Sequence, residues 1–83
     1  MRIVFTERAK RDWENLEESV QRKLRRKLDF YLNSGEILKF AERLKDYSLG
    51  EYRLRIGDYR LIFDFHKDAI VILRVGHRKN IYR

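Results

Sequence analysis

One dipeptide constrains the fold more than any other: Gly57-Asp58, which joins the alternating runs EYRLRI and YRLIFDFH across residues 51–66. Glycine supplies the positive φ that a two-residue connection needs, so the stretch predicts a tight β-hairpin. Pairing across that turn sets Ile56 opposite Tyr59, Arg55 opposite Arg60, Leu54 opposite Leu61 and Arg53 opposite Ile62. Side chains alternate along a strand. Leu54, Ile56, Tyr59, Leu61, Phe63 and Phe65 therefore share a core face, and Arg53, Arg55 and Arg60 share the other. Two guanidiniums directly across a strand pair repel. That face is expected to bind something negative.

Charge points the same way. The 83 residues carry 20 Lys+Arg against 13 Asp+Glu, a net charge of +7. Twelve basic and nine acidic residues fall in 1–50, eight and four in 51–83, so positive charge is denser towards the C-terminus. Nucleic acid is the first candidate partner and an anionic membrane surface the second. The length suits one domain over 1–83, with one core and little to spare. There is no cysteine, which excludes a disulfide scaffold and thiolate metal sites and fits a reducing cytosol. The longest uninterrupted apolar run, Ala69 to Leu73, is far too short to span a bilayer, and MRIVFTERAK turns charged too soon for a signal peptide. A cytoplasmic location is expected.

In chain order, Arg2–Phe5 reads as a short strand and Thr6 as the N-cap of a helix with Glu7 in its first turn. Ala9, Trp13 and Leu16 mark that helix's apolar stripe. Ser19 is placed to cap a second helix, whose stripe is Val20, Leu24, Leu28, Tyr31 and Leu32 and whose stop is Asn33-Ser34-Gly35. The two should form an antiparallel pair covering a sheet. Arg22, Lys23, Arg25, Arg26 and Lys27 line the polar side of the second helix, either as a solvated face or as phosphate contacts to a large RNA. A third helix is expected over 37–44, followed by irregular chain over 45–50. A last strand spans roughly 70–75 and ends at Gly76. One residue of uncertainty in the connection 66–69 leaves the facing of Arg74 open. The order β-α-α-β-β-β predicts an α+β sandwich whose C-terminal part is a three-strand antiparallel meander, with helices on one sheet face and the arginine face open.

The run LKDYSLGEYRLRIGDYRLIFDF together with the ending ILRVGHRKNIYR resembles the RelE/ParE superfamily of toxin-antitoxin toxins, closer to its RelE branch. The likeness covers essentially the whole chain. It implies a RelE-like fold, an endoribonuclease that cuts mRNA in the ribosomal A site with no metal or other cofactor, and an antitoxin with which the chain forms a hetero-oligomer. Carried over residue by residue, it implies substrate-binding roles for Arg53, Arg55 and Arg60, and catalytic roles for Arg55, Arg60, Arg78 and Tyr82. Members of the RelE branch often carry lysines where Arg53 and Arg55 stand, and arginine cannot act as a general base at physiological pH. Here that pair can only bind and stabilise.

RNA cleavage without metal needs the 2′-OH deprotonated, the phosphorane's charge stabilised and the 5′ oxygen protonated as it leaves. Arg53, Arg55 and Arg60 supply a phosphate clamp. Tyr82, with a reference pKa of about 10, is the first choice of base if cations lower that value, and His77 is the alternative acid or base. Arg78 is assigned charge stabilisation. Since no helix follows Tyr82, it is expected to be mobile until substrate arrives. Tyr52, Tyr59 and Trp13 read as core packing. His66 and His77, with scattered Glu51, Asp58, Asp64 and Asp68, form no evident metal-ligand set. Two other classes share the fold: a ParE-like toxin inhibiting DNA gyrase, and a non-catalytic RNA- or antitoxin-binding module.

Overall fold

The computed structural model describes residues 1–46 and 48–82. The elements run β1 (Arg2–Phe5), α1 (Glu7–Glu14), α2 (Glu18–Ser34), α3 (Ile37–Phe40), β2 (Glu42–Arg43), β3 (Tyr52–Ile56), β4 (Tyr59–His66) and β5 (Ala69–His77). They form an α+β fold on one five-stranded sheet of order β1-β5-β4-β3-β2, with β1 parallel to β5 and the other pairings antiparallel. The hairpin has the register that Gly57 dictates: Ile56 opposite Tyr59, Arg55 opposite Arg60, Leu54 opposite Leu61, Arg53 opposite Ile62. Gly57 takes φ +59, open to glycine without strain.

Apolar side chains from β3, β4 and β5 meet those of the helices in one core, built on Leu24, Leu28, Leu54, Ile56, Leu61, Phe63, Ile70, Ile72 and Val75. Thr6 caps α1 by accepting from the Ala9 N–H at 3.1 Å, and its hydroxyl donates to the Leu73 carbonyl at 3.3 Å, fixing the helix to β5. Trp13 packs edge-on against Phe5, and Tyr52 stacks on Phe63, as core residues do. Gly35 closes α2 in the left-handed conformation.

Four expectations are corrected. Glu17, not Ser19, stands at the start of α2, where Glu18 complements the helix dipole and pairs with Arg22 at 3.4 Å. The third helix stops at Phe40, because Ala41 turns extended and Glu42–Arg43 pairs with the otherwise open edge of β3. Gly76 does not end the last strand. It lies within β5 opposite Arg60, because the ladder with β4 carries the strand through it to His77. Nor is the arginine face wholly open. Ile62 is 1% exposed outside the main core, because Gly50 lies so close over it that a Cβ there would meet its Cγ2 at 2.6 Å.

Candidate nucleic-acid interface

Three adjacent strands build the site. β4 offers Arg60, β3 offers Arg53 and Arg55 on the same face, and β2 brings Glu42 into register opposite Arg53. The Glu42 carboxylate is shared: Oε2 accepts from Arg53 Nη2 at 2.7 Å, and Oε1 lies 2.9 Å from Arg55 Nε. The hydrogen bond from Arg53 holds the Glu42 carboxyl below its ordinary 4.5, against an opposing desolvation and with the charges of Arg53, Arg55 and Arg60 adding to the lowering. Arg53 also donates from Nη1 to the Tyr82 hydroxyl at 2.8 Å, and its bonds to Tyr82 and Glu42 raise its own pKa.

This arrangement corrects the expectation of three guanidiniums converging on an outside anion. Arg55 leans towards β2 and Glu42, whereas Arg60 turns back to donate from Nη1 to the carbonyls of Gly57 at 2.8 Å and Tyr59 at 2.9 Å. The cross-strand pair is thus relieved from within the chain. Charge still does not balance: among the described residues, one carboxylate serves Arg53 and Arg55, and the hydrogen bonds of Arg60 go to backbone oxygens. The face keeps net positive charge.

Tyr82 is 46% exposed and seated on Arg53, not projecting unsupported. Arg78 sits at the hairpin tip, its N–H donating to the Asp58 carbonyl at 2.8 Å and its Nε 3.8 Å from the Asp58 carboxylate. His77 is not brought to the arginines. It pairs with Tyr59, on the core side of the sheet, with the two rings edge-on at 5.4 Å, and its Nδ1 accepts from the Lys79 N–H at 3.1 Å. Arg74, whose facing the sequence left open, is held by Asp12 at 2.7 Å beside a β-bulge, and so is withdrawn from the site.

The basic face of α2 divides. Lys23 reaches the hairpin turn, its Nζ 3.2 Å from where a Gly57 Cβ would stand, and so adjoins the carbonyl that Arg60 holds. Arg22 pairs with Glu18, Arg25 lines shallow clefts beside Trp13, and Arg26 and Lys27 are exposed. Among the described residues, no group of three or more His, Cys, Asp or Glu is placed to hold a metal ion, and no helix is long and apolar enough to cross a membrane. Glu42 is the residue that sequence reading missed. Its signal, one acidic residue in a stretch without periodicity, acquires meaning only through β2.

The family described as "ParE toxin of type II toxin-antitoxin system, parDE" matches residues 3–82. The chain belongs to the RelE/ParE superfamily of toxins. Its relatives include Toxin RelG of Mycobacterium tuberculosis, 35% identical over 98% of this chain and 94% of that one, and Toxin RelE3 of Methanocaldococcus jannaschii, 28% identical over 99% and 96%. The fold matches a chain of the toxin-antitoxin complex RelBE2 from Mycobacterium tuberculosis with a TM-score of 0.76 at 30% identity, covering 93% of this chain and 96% of that one. For this RelE/ParE toxin the likeness runs through both the helices and the arginine-bearing sheet.

Proposed function

We propose that this toxin is an endoribonuclease that cuts mRNA in the ribosomal A site. The observation that carries the reading is the juxtaposition of Arg53, Arg55 and Arg60 on one sheet face with the Tyr82 hydroxyl 2.8 Å from Arg53. The guanidiniums bind the scissile phosphate, and their planar donor sets suit the charge that grows on the phosphorane. Tyr82, entering the step as the phenolate, takes the proton of the 2′-OH, whose oxygen attacks the adjacent phosphorus. The P–O5′ bond breaks and the departing O5′ takes a proton from water, leaving a 2′,3′-cyclic phosphate and a 5′-hydroxyl. Arg78, beside the hairpin tip, stabilises charge on the departing oxygen. His77 has no part in this scheme, because it faces the opposite side of the sheet from Arg55 and Arg60.

One proton carrier among several fixed cations makes a poor general nuclease. The ribosome supplies the in-line orientation of the 2′-OH, and Lys23, Arg26 and Lys27 with their neighbours on α2 contact ribosomal RNA phosphates. The partner is an antitoxin bearing an acidic, apolar-studded segment that folds on this basic chain in a hetero-oligomer, as the RelBE2 toxin is found with its antitoxin. The reading is tested by mapping mRNA 5′ ends after incubation with programmed ribosomes. Codon-phased cuts, absent from free mRNA and reduced by Tyr82→Phe, are expected. Intact mRNA with poisoned DNA gyrase would replace this reading with the ParE-like one, and ribosome binding with neither activity would leave a non-catalytic module.

A further inference from the structure

Glu42 is the anomaly of the site. A surface that recruits phosphate gains nothing from a carboxylate beside its arginines, yet both Glu42 oxygens are spent on the two strand arginines, at 2.7 and 2.9 Å. The contact is no chance meeting of long side chains. β2 is only two residues long, and its pairing puts Glu42 opposite Arg53 in the sheet register. The pair with Arg55 is superficial, the Glu42 side chain being 46% and that of Arg55 56% exposed, whereas the Arg53 side chain in the other pair is 22% exposed. Surface pairs of this kind are weak and salt-sensitive. A phosphate carries its charge on several oxygens and is a stronger partner for two guanidiniums than one shared carboxylate.

We propose that Glu42 is a built-in stand-in for the substrate phosphate: it holds Arg53 and Arg55 in place while the site is empty, and RNA must displace it. The inference rests on the phosphate-binding reading above and goes beyond it by assigning a competitor within the chain. Two consequences follow. Glu42 spares the free toxin the repulsion between Arg55 and Arg60. It also lowers affinity for any anion on that face, so that loose RNA is held less well than RNA presented by the ribosome.

The alternative is that Glu42 only braces the arginines, in which case its loss weakens binding. The two predict opposite signs. The probe is a short single-stranded RNA with 2′-O-methyl sugars, which binds but lacks the attacking hydroxyl, titrated by fluorescence anisotropy at several salt concentrations. Glu42→Gln keeps the shape and removes the charge. It is expected to tighten binding about five-fold at low salt, the effect of one unit charge a few ångströms away in a water-like medium. The salt dependence should also steepen by about 0.7 in log–log slope, the signature of one more neutralised phosphate on a single strand. Glu7→Gln makes the same change in net charge on α1, where Glu7 pairs with Lys10, and should leave affinity within about two-fold. Weaker or unchanged binding by Glu42→Gln, with thermal melting showing it folded, overturns the proposal. The underlying phosphate reading fails separately, if Arg55→Ala and Arg60→Ala bind the probe as tightly as the parent.

Discussion

Arg60→Ala separates the chemical role of the site from its structural one, because the two losses differ greatly in size. Arg60 Nη1 clips the hairpin through the Gly57 and Tyr59 carbonyls at 2.8 and 2.9 Å. Net hydrogen-bond contributions of about 0.5–1.5 kcal/mol each, at the low end for a turn open to water, make the clip worth about 1–2 kcal/mol. Removing a like charge opposite Arg55 returns about 0.2–1 kcal/mol. The net destabilisation is about 1 kcal/mol, a drop in melting temperature of about 4–8 °C for a domain of this size. Even at a stability of about 5 kcal/mol, that leaves only about one molecule in a thousand unfolded. A lost donor to transition-state charge costs about 10²–10³ in rate. Urea unfolding and single-turnover cleavage on programmed ribosomes read the two quantities on the same preparation. Arg60→Lys keeps the charge without the planar fork and should recover part of the rate. A rate that falls less than about ten-fold, or a domain that loses most of its folded population, refutes the assignment.

Three further outcomes are expected. Gly50→Ala puts a Cβ within 2.6 Å of Ile62 Cγ2 and 2.8 Å of Leu73 Cδ1 at φ +145, and should destabilise by about 2 kcal/mol or more in urea unfolding; a loss under about 0.5 kcal/mol contradicts the packing described. Asp12→Ala strips the partner from Arg74 and from the Val75 N–H, and should cost about 1–3 kcal/mol by the same assay while leaving ribosomal cleavage within a few-fold. The Glu42 carboxyl should titrate below 4.5 by carbon-detected NMR, and Arg53→Ala should bring it up towards that value. Because its folded-state pKa is lowered, its contribution to stability is present above about 4.5 and is lost as pH falls through the folded-state value. A midpoint at or above 4.5 in the parent protein means that the ion pair is not formed in solution.

The hairpin was legible because a two-residue turn with glycine admits essentially one register, and that register fixed which face each arginine takes. The helices were legible through their apolar stripes and through Thr6 and Gly35 at their ends. What escaped was decided by tertiary contact. β2 is too short to carry a period, and it forms because the edge of β3 offers unpaired backbone groups. Glu42 gains its partners only through that strand, across eleven residues of sequence. The facing of Arg74 and His77 depended on a bulge between β4 and β5 that strand alternation does not encode. Gly76 read as a strand terminator from local propensity, whereas the ladder between β4 and β5 carries the strand through it to His77.

RNA held on the strand arginines should be visible at each guanidinium. Arginine Nε–Hε resonances, recorded while the 2′-O-methyl RNA is added, report on each guanidinium in turn. Arg53, Arg55 and Arg60 are expected to shift together, while Arg74, held by Asp12, stays where it was. Shifts confined to Arg22, Arg25 and Arg26 on α2, with the strand arginines still, would contradict this.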